Sequence, residues 1–205
     1  ISINNLVWNG PIVTAAVPSV LRVGNPGVSM SGPASGPLNG AQLLAGEASF
    51  GAALTNAGVS ADVMPVVTNT GGGPGCGPLT ATDARAVAGK IALIDRGVCG
   101  FVVKVKNAQD AGAIGVLIAD NVAGSPPPGL GGSDPTITIP SVRVTLADGN
   151  AIKTQLAKRS RTGSGVVARI GLFGTNIAGA DASGRIKMYA PNPFQSGSSV
   201  SHYDT

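Results

Sequence analysis

Histidine and glutamate are almost missing from this sequence: His202 and Glu47 are the only ones in 205 residues. Any catalytic triad would have to pass through His202. Its neighbours Ser201 and Asp204 do not complete one, because catalytic groups converge from separate elements rather than from adjacent positions. Ten acidic residues, scattered over loops, offer no evident carboxylate pair for glycoside hydrolysis. Aromatic residues are only 3% of the chain, too few to build the stacking platforms that single-stranded nucleic acids require. The net charge of +4, and the cluster of Lys153, Lys158, Arg159 and Arg161, therefore read as a solvated helix end, and no nucleic-acid partner is expected. No apolar run approaches the roughly 18 residues of a membrane span, so no membrane insertion is expected. The chain opens at Ile1 within an alternating pattern and without a basic and apolar leader, which reads as mature or trimmed protein.

What is present favours sheet. The hydrophobic 43% is mostly small or β-branched, and Gly (31) with Pro (15) exceeds the usual share of about 12%, giving many turns. Residues 1–23 alternate loosely around the turn Asn9-Gly10 and read as a hairpin. Residues 24–40 read as a loop, 41–54 as a short helix, and Met64–Val67 as a short strand. The Gly71–Pro78 segment has glycines but no strand-to-helix step, so it is a loop carrying a cysteine and not a phosphate cradle.

The centre of the chain is more legible. Gly89–Gly97 is a buried strand ending in a turn. Phe101, Val105, Ala108 and Gly112 then fall on one helical face. Ile114–Ala119 is a continuous apolar run whose two faces should both be covered. Together they make a strand-helix-strand crossover with a parallel pair. After a long loop, Asn121–Thr136, Ile137–Pro140 reads as a short strand. Thr145 and Asp148 resemble a capping box for a second helix. Val166–Leu172 and Ile186–Ala190 read as a pair of closing strands.

Two cysteines, Cys76 and Cys99, allow one pairing, which would close a loop of about 23 residues for roughly 3 kcal/mol. Two buried free thiols are the alternative. A zinc site would need two further ligands. Asp95-Arg96 reads as an ion pair supporting its turn. Asp120 and Asp134 flank the Pro-rich loop and could assist a calcium ion, although two solvated loop acids are the simpler reading.

Gly89-Lys90-Ile91-Ala92-Leu93-Ile94-Asp95-Arg96-Gly97, then Cys99 and Phe101, Asn107-Ala108, Ala111-Gly112-Ala113, Gly115-Val116-Leu117-Ile118, Asn121 and Ile139-Pro140-Ser141-Val142 closely resemble the protease-associated (PA) domain, over about residues 60–160. The resemblance implies a lid-like mixed α/β fold, found in secreted proteases, aminopeptidases and sorting receptors, that is not catalytic and either binds peptide or protein segments or controls substrate access to a neighbouring active site. It also implies a Cys76–Cys99 disulfide.

The expectation is thus a mixed α/β (α+β) chain, a β-sandwich or open barrel with two main helices. Residues 1–55 form an N-terminal β extension, 56–162 the PA domain, and 163–205 closing strands and a tail. Its function is that of a non-catalytic, extracellular or cell-envelope interaction module without a cofactor, and Arg96, Asn121 and Asp134 border the groove for a peptide or a neighbouring catalytic domain. The alternative is a fragment of a secreted zinc metallopeptidase, in which His202 and Asp204 join a metal site completed outside the chain.

Overall fold

The computed structural model describes residues 23–67, 73–177, 187–191 and 199–203. Asp204 and nearly all of the hairpin expected in residues 1–23 lie outside them. In chain order the elements are β1 (Val23–Ser31), β2 (Gln42–Leu44), β3 (Gly46–Glu47), β4 (Val59–Pro65), α1 (Ala81–Val87), β5 (Ile91–Asp95), α2 (Phe101–Asp110), β6 (Gly115–Ala119), β7 (Ser141–Val144), α3 (Leu146–Leu156), β8 (Val167–Ile177), β9 (Lys187–Pro191) and β10 (Ser199–Tyr203). Pro26–Leu172 form one compact unit.

The apolar runs become the middle of a mixed sheet. β5 and β6 pair in parallel, from Ile91 opposite Gly115 to Asp95 opposite Ala119. β4 and β7 extend the parallel block on either side. Because successive side chains of a strand point to opposite faces, Ile91, Leu93, Leu117 and Ala119 enter one core cluster and Ala92, Ile94, Val116 and Ile118 the other. The first cluster is completed by Ile152 and Leu156 of α3, with Val28, Met30 and Ile170 from the antiparallel wing. The second is completed by Ala86 and Val87 of α1 and by Val105 and Ala108 of α2. Both faces of the central strands are therefore covered, which is why their sequences are apolar throughout rather than alternating.

The sheet order β2-β1-β8-β4-β5-β6-β7-β3 places β2 and β3 at opposite edges. Only Ala45 separates these strands in the chain, so the two edges lie no more than about 7.6 Å apart along the backbone. The sheet must curl until its ends nearly meet, giving the open-barrel character.

Several local expectations differ from the structure. Residues 41–54 form β2, β3 and an isolated bridge from Ala48 to Leu130, not a helix. Gly46 lies so close to the Pro128 carbonyl that a Cβ there would sit 2.0 Å from its oxygen. Residues 24–31, expected to begin a loop, instead belong to β1, which pairs with β2 from Gly27 opposite Leu44 to Ser29 opposite Gln42. Helix α1, capped by Thr80, follows the Gly71–Pro78 loop at residues to which the sequence pattern assigned no element. Ile137–Ile139 is not a strand: the Thr138 amide donates to Gln109 Oε1 and the Ile139 carbonyl accepts from Ala52. The ladder begins one residue after Pro140, at Ser141. β9 pairs with β10, which lies in the segment expected to be a polar tail.

Candidate functional site

Since β5, β6 and β7 run parallel, their carboxyl ends share one edge of the sheet. Loops leaving such an edge commonly shape ligand sites in parallel α/β sheets. Here the edge carries the turn at Arg96–Gly100, the long segment that starts at Asp120, and the start of α3. A cleft of about 730 Å³ lies between Ala123–Ser125 and the first turns of α3, Thr145–Asp148 with Asn150. Thr145 caps α3: its Oγ1 accepts from the Asp148 amide at 3.0 Å and donates to Asp148 Oδ2 at 2.6 Å.

The adjoining loop is held from below by a buried charge cluster. Asp120 Oδ1 accepts from Arg96 Nη1 at 2.8 Å and from the amides of Asn121 and Val122 at 2.8 and 3.2 Å. Asp120 Oδ2 lies 3.4 Å from Arg143 Nη1. Arg143 also donates to the carbonyls of Pro128 and Gly129, both at 2.7 Å, and stacks 5.3 Å from the centre of the Phe101 ring. Burial disfavours the Asp120 carboxylate, but the Arg96 hydrogen bond, the two amides and Arg143 outweigh it and hold its pKa below the ordinary value. Burial draws the Arg143 pKa down, with Arg96 adding to this and Asp120 opposing it. A guanidinium remains charged through such a shift.

Arg96 and Asn121, two of the three residues expected to border a groove, are thus brought together through Asp120. Asp134 is not part of this cluster. It accepts from the amide and hydroxyl of Thr136, which lower its pKa, and the same turn is tied to α2 by Gln109 Nε2 on the Thr136 carbonyl. Asp120 is buried and paired rather than a solvated loop acid, and its oxygens are taken by guanidinium and amide donors, which removes the calcium reading. Asp95 and Arg96 do not pair with each other. Successive side chains diverge, so Asp95 reaches Lys153 at 3.0 Å and Arg96 reaches Asp120.

The long loop is exposed over 121–126, but buried Pro127, Leu130 and Ile137 pin its later part. Cys76 and Cys99 form a disulfide, with Cα atoms 5.7 Å apart. His202 lies on β10 opposite Met188, and Asp204 is outside the described residues. Among the described residues, no group of three or more His, Cys, Asp or Glu could hold a metal ion, and no helix is long and apolar enough to cross a membrane.

Sequence reasoning missed two buried charges. Arg143 interrupts a buried strand, Ser141-Val142-Arg143-Val144, and a charge in that setting demands a partner. Lys104 is fully buried on α2, next to the disulfide, at a position the helical pattern left unassigned.

The family model described as the PA domain matches residues 59–152. ER degradation-enhancing alpha-mannosidase-like protein 3 of Homo sapiens is 42% identical over 83 residues, 40% of this chain and 8% of that protein. The minor extracellular protease Vpr of Bacillus subtilis is 30% identical over 82 residues, 40% of this chain and 10% of its own length. Among solved structures, BSAP, a zinc aminopeptidase from Bacillus subtilis, superposes with a TM-score of 0.50 and 26% identity over 75% of this chain and 32% of that one. The chain is therefore similar to a small part of each of these larger proteins. Over residues 59–152, which hold the parallel block, the bridged loop and most of the helices, this chain matches the PA domain.

Proposed function

We propose that this chain is the non-catalytic recognition part of a larger extracellular or cell-envelope protein, such as a protease, and that it binds an extended peptide or protein segment in the cleft beside α3. The observation that carries this reading is the cleft's position at the carboxyl ends of three parallel strands, with the loop above it fixed by Arg143 and Asp120. A preformed loop reduces the ordering cost of binding. Arg96 and Asn121 supply polar contacts at the rim, whereas Asp134 is engaged in its own turn with Thr136. Similarity to proteases and an aminopeptidase supports the accessory role, and the disulfide supports an oxidising compartment.

The test is titration of the purified chain against fluorescent peptides generated from denatured casein. Saturable binding that Ala147→Arg removes without changing thermal stability supports the reading. Turnover of casein or of aminoacyl substrates by the chain, abolished by His202→Ala, overturns it.

The likeness to a zinc aminopeptidase favours one second reading, in which His202 and Asp204 help to hold a zinc ion with ligands from outside the chain. Zinc binding by a longer chain that survives His202→Ala would eliminate it.

A further inference from the structure

The Cys76–Cys99 bridge sits in surroundings unlike those of a purely structural crosslink. Both cysteines are partly exposed. The fully buried Lys104 of α2 directs its Nζ at the Pro74 carbonyl and at Cys76 Sγ, 3.6 Å away. On the other side of the bond, Val98 has φ 67°, a conformation that a β-branched residue rarely adopts. The Cys99 amide donates to the Gly97 carbonyl at 2.8 Å across it, making a strained three-residue turn. Val98 is 80% exposed and is pressed against Gly73, where a Cβ would come within 2.8 Å of Val98 Cγ2. One sulfur thus faces a cation, and the other adjoins backbone strain.

We propose that this bridge is a thiol–disulfide exchange site for a dithiol reductant, with Cys99 as the sulfur attacked and Cys76 as the leaving sulfur. A thiolate of the reductant bonds to Cys99 Sγ, the bond to Cys76 breaks, and its electron pair stays on Cys76 Sγ beside the Lys104 ammonium. A thiol leaves faster when its pKa is lower, and a neighbouring lysine lowers it. The second thiol of the reductant loses its proton and attacks the reductant sulfur of the mixed disulfide. Cys99 is expelled and takes up a proton, and the reductant departs as its own disulfide. Two electrons pass from the dithiol to the protein, and no further oxidant is needed.

The charges that bear on Cys76 are Lys104 from α2 and, acting on Lys104, Asp95 at the end of β5, itself paired with Lys153. Burial lowers the Lys104 pKa, and Asp95 opposes that shift. Opening the bond frees the Val98 turn to relax. Because a Cβ at Gly97 would lie 3.5 Å from Asn121 Nδ2, that relaxation reaches the rim of the cleft.

The folded, oxidised chain is incubated with glutathione, quenched with iodoacetamide and mapped by peptide mass, a readout that does not depend on any bound peptide. The mixed disulfide is expected on Cys99 over Cys76 by at least about ten-fold, falling below about three-fold in Lys104→Met. Because Lys104→Met removes a buried group and could fail to fold, the exposed Val98→Gly serves as a second variant. It is expected to shift the equilibrium with dithiothreitol toward the disulfide by at least about five-fold, as relief of strain requires. Equal labelling of the two sulfurs in the wild type, preference for Cys76, or an unchanged equilibrium in Val98→Gly overturns the proposal.

Discussion

Arg143 ties Asp120 to the loop that follows it: its Nη1 lies 3.4 Å from Asp120 Oδ2, while its Nε and Nη2 donate to the carbonyls of Pro128 and Gly129. Both side chains are only 6% exposed. Replacing Arg143 leaves Asp120 with Arg96 and two amides, but takes away one guanidinium and the donor to the Pro128 and Gly129 carbonyls, a cost of about 1–3 kcal/mol. Arg143→Met should therefore lower the urea midpoint by that equivalent. It should also speed amide exchange over 121–130 more than over β5 and β6, which hydrogen-exchange mass spectrometry would resolve. Uniform acceleration across the sheet would mean that Arg143 supports the core generally rather than the loop.

Acid should act through the same carboxylate. The folded pKa of Asp120 is lowered, because Arg96, two amides and Arg143 overcome the opposing burial. In the unfolded chain the group titrates near its ordinary value of about 3.9. Below that pH the unfolded state binds the proton first, so stability falls with pH. The contribution is complete above about pH 4 and is lost as the pH descends through the folded pKa. Urea unfolding from pH 6 to pH 2 should show this decline in the wild type and a shallower slope in Asp120→Asn, whatever the variant's absolute stability. Parallel slopes would assign the acid sensitivity to other carboxylates.

The sequence made the central block legible because its elements are specified locally. Ile91–Ile94 and Val116–Ile118 are apolar on both faces, Val105 and Ala108 repeat at helical spacing, and Thr145 with Asp148 marks a helix start. What it hid depends on tertiary partners. β1 contains Gly24, Asn25, Pro26 and Gly27, which argue for a loop, and it becomes a strand because β8 lies on one side and β2 on the other. Arg96 and Asn121 were recognisable as polar groups at loop starts. Their connection through Asp120, and the Arg143 beneath, required knowing that β6 and β7 are neighbours. Asp134 looked equivalent to them in the chain but satisfies its own turn.

Closure of the sheet gives a steric prediction. At Gly46, where β3 meets β7, a Cβ would lie 2.0 Å from the Pro128 oxygen, a backbone atom that Arg143 also holds. Since neither strand nor loop can yield cheaply, Gly46→Ala should destabilise the chain by about 1–3 kcal/mol, as overpacking does. Thermal unfolding is the measurement. Gly40→Ala provides the contrast, because its φ of 80° makes it strained while nothing lies within 4 Å of its Cβ. Because Gly46, unlike Gly40, has no left-handed φ, a loss in Gly46→Ala no larger than that in Gly40→Ala would mean that the Pro128 segment yields and the close approach costs little.

The disulfide should stabilise the fold through the segment it fastens. It links residues 23 apart, and the chain-entropy account gives about 3 kcal/mol for a loop of this length. The arm before Cys76 has other attachments, from Lys104 to the Pro74 carbonyl and from Asn107 Nδ2 to the Gly75 carbonyl at 2.9 Å. These attachments predict that the double variant Cys76→Ser, Cys99→Ser remains folded, with β5, α2 and β6 intact, while losing roughly 2–4 kcal/mol in urea unfolding. Reduction of the wild type should give a loss of similar size. If the double variant instead unfolded cooperatively at ambient temperature, the bridge would be holding the β5–α2–β6 crossover itself, and the buried contacts of Ile94, Val105 and Ile118 would not suffice for its stability.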